Sequence, residues 1–234
     1  EREKLKELSS HRIKDEVPAK YESIVLNKNG GKVFVEISAG IIPYGSKTAT
    51  LIFINDITKR KMAEQAVQDR LIFERLISTI STLFINLGLS EVDKGIQNAL
   101  LSIGQHVGAD RSYVFQFTEA GGLMNNTHEW CRPGITPQIE RNQNQAVSVI
   151  PWCIGKINQL EVVNVSSVED LPPEASVDKL EWAAQSIQSL VIIPMVFQGR
   201  AVGYVGFDSV RQKKYWSEEN IALLRIVGEM FVNA

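Results

Sequence analysis

From Lys59 to Leu87 the chain runs without a single glycine or proline, and its apolar residues recur every three to four positions. A stretch of this kind predicts one long helix, and it divides the chain into a part before and a part after. Asp56 or Thr58 can cap the start, because either side-chain oxygen accepts a hydrogen bond from a free amide of the first turn, and Gly88 supplies a stop. With Ala63 at heptad position a and Ala66 at d, the residues Arg70, Phe73, Ile77, Ile80, Phe84 and Leu87 share one seam, in which Arg70 is the polar member. That seam is long enough to pair with a second copy of the chain, so a homodimer is expected. Ile72, Leu76 and Leu83 widen the stripe, and the same helix can lie on its own domain's core at other heights.

Before the helix the period is two. Tyr21–Lys28, Lys32–Ile42 and Thr48–Ile54 are rich in β-branched and aromatic residues and read as three antiparallel strands. Asn29-Gly30-Gly31 tolerates the positive φ of a first reversal, and Pro43-Tyr44-Gly45-Ser46 marks a second. Residues 1–9 read as a short polar helix. An opening this charged suggests a chain cut from something longer. A three-stranded meander alone is too small to enclose a core.

After the helix the pattern is mixed. A helix opens at Ser90-Glu91-Val92-Asp93 and runs to Val107, with Gly108 as its end. Arg111–Phe117 and Leu123–Cys131 read as strands around a Gly121-Gly122 turn, and the polar stretch from Pro133 to Gln145 as a loop or short helix. A short apolar helix around Trp152, a strand over Glu161–Val165 and a helix over Ser176–Ile187 follow. Two dense strands, Ser189–Phe197 and Ala201–Ser209, precede a last helix beginning at Ser217. This order predicts an α+β domain, an antiparallel central sheet flanked by helices.

The balance of the 234 residues, 44% hydrophobic and 22% charged with a net charge of -2, excludes a disordered chain and argues against a nucleic-acid binder. Two cysteines, Cys131 and Cys153, are too few for a disulfide framework, and no apolar run reaches the length of a membrane span. The expected setting is cytoplasmic, with no membrane insertion and no nucleic-acid partner. The sequons at Asn125 and Asn164 then read as chance matches.

Around Asn29-Gly30-Gly31-Lys32-Val33-Phe34-Val35-Glu36 and Ile54-Asn55-Asp56-Ile57-Thr58-Lys59-Arg60-Lys61 the sequence resembles the C-terminal half of a PAS sensory domain, whose Asp-Ile-Thr-x-Arg-Lys exit leads into a signalling helix. Gly30 stands where an aspartate is more usual. The strands and helical cap that close a PAS pocket are absent, so no PAS cofactor site carries over. From about Leu71 onward the chain resembles a GAF domain, on His128-Glu129-Trp130-Cys131, Pro151-Trp152, Ser189-Leu190-Val191-Ile192-Ile193-Pro194, Gly203-Tyr204-Val205-Gly206-Phe207-Asp208 and Trp216. The two resemblances imply three pieces: residues 1–56 as a PAS remnant, 57–87 as the signalling helix and 88–234 as the GAF domain. They imply a regulatory module responsive to a small molecule or a protein, dimeric through its terminal helices, upstream of a histidine kinase, cyclase or transcriptional output domain.

No catalytic set emerges. The histidines are His11, His106 and His128, without a zinc-protease, nucleophile-elbow or phosphate-loop motif around them. Gly203-x-x-Gly206 is half of a dinucleotide fingerprint or, more simply, close packing on a strand. The candidate ligand-binding residues are Trp130 and Trp152, whose indoles give contact area and one donor each, with Cys131 beside the first; ordinary core packing is the alternative for all three. His128 and Cys131 could together hold haem or a soft metal. On a regular strand a spacing of three puts them on opposite faces, and a bend after Glu129 would be needed to unite them. The Cys-His neighbour pair of bilin-binding GAF domains is absent. Lys59, Arg60 and Lys61 read as a solvated basic run.

Overall fold

The computed structural model describes residues 20–85 and 88–233; the helix expected over residues 1–9, His11 and the seam's Leu87 lie outside them. The chain divides into two compact units, one ending at Ile72 and the other beginning at Phe73.

In the first unit β1 (Lys20–Leu26), β2 (Lys32–Tyr44) and β3 (Lys47–Asp56) form an antiparallel sheet in that order. The first reversal is held by Asn27, whose Oδ1 accepts the N–H groups of Asn29 and Gly31, with Gly30 at φ +79°. The second is tighter than the sequence suggests. Pro43 and Tyr44 stay in the ladder opposite Thr48 and Lys47, so Gly45-Ser46 alone makes the turn. β1 pairs only as far as Ser38, and a proline is tolerated where a strand has a free edge.

The helix α1 (Thr58–Ile85) starts where Asp56 Oδ1 accepts the Thr58 N–H at 2.8 Å. Thr58 Oγ1 in turn accepts the Phe34 N–H, and the buried Ile57 donates its N–H to the Phe34 carbonyl. The Asp-Ile-Thr exit is thus stitched to β2. Two members of the basic run are not simply solvated: Arg60 and Lys61 reach Glu22 of β1 at 2.8 and 2.6 Å.

The second unit contains α2 (Val92–Val107), β4 (Arg111–Phe117), β5 (Leu123–Cys131), β6 (Gln145–Ala146), α3 (Pro151–Asn158), β7 (Val163–Val165), α4 (Ser176–Ala184), β8 (Ser189–Phe197), β9 (Arg200–Ser209) and α5 (Glu218–Asn233). Its six strands pair antiparallel in the order β6-β5-β4-β9-β8-β7. Strand alternation sends Val114, Val191, Ile193, Val205 and Phe207 to one face, where they pack with Leu100 and Ile103 of α2 and Leu223, Leu224 and Val227 of α5. The other face carries Tyr113, Phe115, Ile192 and Tyr204 against Ile154, Ile157 and Trp182 of α3 and α4. Both faces of the central strands are covered, which is why β8 reads as an unbroken apolar run.

The C-terminal half of the α1 seam belongs to the first of these cores. Ile80 is buried there, Phe73, Ile77 and Phe84 pack against it, and the Phe84 ring lies 5.6 Å from that of Phe231. Fully burying a side chain of this kind contributes about 1.5–3 kcal/mol, enough to decide the matter locally. Ala63, Ala66 and Arg70 remain exposed on the helix. The unit boundary at Ile72 and Phe73 falls within this long helix.

Other boundaries shift for local reasons. A 3-10 turn over Leu89–Glu91 precedes α2, which ends at Gly108 with φ +66°. α4 stops at Ala184 because Ser186 takes φ +59° and the Ile187 N–H returns to the Trp182 carbonyl. A Cβ on Gly203 would lie 2.0 Å from the Phe115 carbonyl oxygen and one on Gly206 2.7 Å from the Tyr113 ring, so these glycines serve close strand packing.

Candidate functional site

The β4–β5 ladder is regular from Arg111↔Cys131 to Val114↔His128, then passes to Phe115↔Asn126, leaving Thr127 as a bulge. The Asn126 amide nitrogen, oriented by its surroundings, closes the bulge by donating to the Val114 and His128 carbonyls at 3.1 and 2.8 Å. One extra residue inverts the alternation. Met124 and Asn126 point to the α3–α4 side, and beyond the bulge Glu129 takes that side, while His128 and Trp130 turn toward α2.

This relocates the residues singled out from the sequence. Trp130, 8% exposed, is a core residue lying over Gly104 of α2, where a Cβ would come within 2.6 Å of its ring. His128 Nε2 sits 3.3 Å from the Asp93 carboxylate on α2; burial lowers its pKa and Asp93 opposes that. Because the ladder has no bend after Glu129, His128 and Cys131 stay on opposite faces and do not converge on one ion or haem iron. Among the described residues no three His, Cys, Asp or Glu side chains come together as metal ligands would. Cys131 is half-buried, and burial with the nearby Glu129 pushes its thiol up to about 12, leaving almost no thiolate at neutral pH. Trp152 packs edge-on against Trp182 at 6.5 Å under the Lys156 ammonium. Trp182, which sequence reasoning passed over, is the indole that lines the site.

That site is a partly open pocket of about 40 Å3 between the second face of the sheet and α3–α4. It has room for about three water molecules. Phe115 and Tyr204 stack on one side at 4.7 Å and 15°, with Trp182 and Ile192 completing the apolar wall. Arg111, the first residue of β4, and Asp208, near the end of β9, are cross-strand partners with both side chains buried. Tyr113 donates its hydroxyl to Asp208 Oδ1 at 2.8 Å, and Arg111 Nη2 donates to the Gln185 carbonyl at 3.0 Å. Arg111 Nε stands 3.4 Å from Asp208 Oδ2 and makes no hydrogen bond among the described residues. Burial raises the Asp208 carboxyl to about 6, with Arg111 and the Tyr113 hydrogen bond pulling the other way. Desolvation also holds the Tyr113 and Tyr204 phenols well above their usual range.

The mouth is latched. Glu129 Oε2 accepts the N–H groups of Gln138 and Ile139 at 2.8 and 3.1 Å, fixing the polar loop, and Arg141 on that loop lies 2.9 Å from Glu181 of α4. Asp178 of α4, fully buried, accepts the Trp152 and Cys153 N–H groups and ties α4 to the start of α3; burial nonetheless raises its pKa. Such an enclosure, with charge in a low dielectric, suits recognition of a polar group.

A family model described as "GAF domain" matches residues 91–234. The chain belongs to the GAF domain family. The GAF domain here is a sensory and regulatory one, similar in sequence to the methanogenesis regulatory histidine kinase FilI of Methanothrix harundinacea (strain 6Ac), with 28% identity over 203 residues covering 81% of this chain. The chain spans 22% of that kinase's length. Among solved structures, a biliverdin-bound protein in its far-red absorbing dark state shares 12% identity at a TM-score of 0.57, over 69% of this chain and 96% of its own. The GAF domain of a phosphoenolpyruvate-protein phosphotransferase from Coxiella burnetii gives 12% and 0.54, over 70% and 92%. At such identities the likeness speaks for the GAF fold alone. No helix among the described residues is long and apolar enough to cross a membrane.

Proposed function

We propose that this chain is the non-catalytic input segment of a cytoplasmic, multidomain sensor, of the histidine-kinase type, in which a small ligand occupies the cavity beside Arg111 and Asp208. The observation that carries this reading is a buried, incompletely hydrogen-bonded ion pair inside a small latched enclosure. In a purely structural core such groups are costly, and each buried donor normally finds a partner. Occupation would spread α3 and α4 from the sheet and shift α2, α5 and α1 on its other face, and a homodimer would carry that shift along the α1 seam to an output domain in the same protein. The meander and its Asp-Ile-Thr exit read as a PAS remnant that feeds the same helix. Similarity to a regulatory histidine kinase supports the signalling role.

The test is a thermal-shift screen of metabolites on the whole chain and on Ile192→Trp, which fills the cavity. A ligand should raise Tm in the first and not in the second; equal shifts in both would place binding elsewhere. For the dimer, Ala66→Glu with Arg70→Glu changes exposed seam positions, and light scattering should show monomers.

A further inference from the structure

Resting on that reading, we propose that the cavity takes a small carboxylic acid, its carboxyl seated between Arg111 and Asp208 with one proton shared between the ligand's carboxyl and the aspartate's. Arg111 Nε is a buried cationic donor that lacks an acceptor, and charge-assisted bonds to carboxylates are the strongest it can make. Asp208 is already engaged through Oδ1 by Tyr113, while Oδ2 is the oxygen turned toward Nε at 3.4 Å, off hydrogen-bonding geometry. A ligand oxygen that accepts from Nε brings its neighbouring oxygen beside Oδ2. Two carboxylates in that contact repel unless a proton lies between them, as in paired carboxyl sites generally.

The charge inventory says where the proton must come from. Arg111 is the cation lining the cavity, against the carboxylates of Asp208, Glu129 and Glu181. Facing Asp208 are Arg111 and Tyr113 of β4, Asp110 just before them, Glu129 and Cys131 of β5 and, at longer range, Tyr204 on its own strand. Cys153 of α3 is a protonated thiol. Glu129 is occupied by two backbone N–H groups and Glu181 by Arg141, so neither is free to pair with a cation from outside. A bare anion would enter a site already negative, whereas an acid that arrives with one proton from solvent leaves the charge unchanged. Asp208 is poised for this, since burial holds its carboxyl near 6. The free space of about 40 Å3 admits a carboxyl group and a short tail against Phe115, Tyr204 and Trp182. A phosphate carries more charge than one shared proton offsets.

Propionate is the probe, titrated by NMR into the whole chain from pH 5.5 to 8, with propionamide as its neutral isostere. Affinity for propionate should fall about tenfold for each pH unit above 6, with one proton taken up per molecule bound, because both carboxyls are then ionised in the free state. Asp208→Asn keeps the volume and removes the proton demand: binding should become independent of pH and at least tenfold tighter at pH 7.5. Circular dichroism checks that this variant is folded, and it keeps the proposal open to refutation where Arg111→Gln fails to fold. Propionate binding that ignores pH in the unaltered chain, or that weakens in Asp208→Asn, would overturn the proposal. So would propionamide binding as tightly as propionate. If propionate fails while a screened metabolite binds and is excluded by Ile192→Trp, the acid is wrong and the sensing site stands; if nothing binds at the cavity, both fall.

Discussion

Toward α2 and α5 the strand β4 presents Ser112 and Val114; toward α3 and α4 the same strand presents Arg111, Tyr113 and Phe115. The first side is closed in the ordinary way. Ser112 hands its hydroxyl to the Leu100 carbonyl, and the remainder is aliphatic and aromatic packing around fully buried residues such as Leu100, Phe207 and Trp216. Each side holds a buried donor without an acceptor, Trp216 Nε1 on the first and Arg111 Nε on the second, but the second also keeps a guanidinium and a carboxylate out of water. Stability gives no reason for this, since replacing a buried pair by apolar groups of similar volume is often neutral or favourable. One sheet thus separates a face that holds the domain together from a face that holds something in reserve.

That contrast can be broken in order of expected effect. Arg111→Met strands Asp208 as a buried charge and should cost about 3–5 kcal/mol at pH 8, with much of the loss recovered at pH 5 where the aspartate is protonated; urea unfolding at both values measures it. Arg111→Met with Asp208→Leu should recover most of the loss at either pH. Leu100→Ala on the opposite face should cost about 2–5 kcal/mol, equally at both pH values, because only packing is lost. A pH-dependent Leu100→Ala would mean that the two faces are not independent.

The unaltered chain offers a subtler measure. With its folded value near 6, Asp208 binds its proton more tightly in the native state than in the unfolded chain. Its contribution to stability is therefore full below about pH 4 and falls as pH rises toward 6, by about 3 kcal/mol. Asp208→Asn should remove that part of the slope in urea midpoints and leave the part due to Asp178, whose carboxyl burial also raises. Smallest of all is Asp93→Ala. Its carboxylate is 93% exposed, so losing the contact with His128 should change stability by less than about 0.5 kcal/mol.

Most of the fold is readable in advance because it rests on local rules. A gap free of glycine and proline gives α1, Gly108 ends α2, β8 keeps its expected bounds and β9 begins one residue early, at Arg200. The cavity obeys no local rule. Arg111, Glu129, Trp182 and Asp208 come from four elements, and no spacing in the sequence joins them. A signal was present nonetheless: Arg111 opens an apolar strand and Asp208 nearly closes another, places where a charge either reaches solvent or is kept for use. The face that Trp130 takes was equally hidden from a local reading. An indole's identity says nothing about which face it takes, and the bulge at Thr127 reverses the parity on which such an assignment depends.

The bulge also bears on how such a pocket could change over time. Deleting the single residue Thr127 would make the ladder regular, because Asn126 and His128 already pair with the adjacent residues Phe115 and Val114, and would leave His128, Glu129, Trp130 and Cys131 on their present faces. The hold of Glu129 on the polar loop would survive that loss. In a sheet of this construction a bulge absorbs one residue more or less without changing which side chains face the ligand.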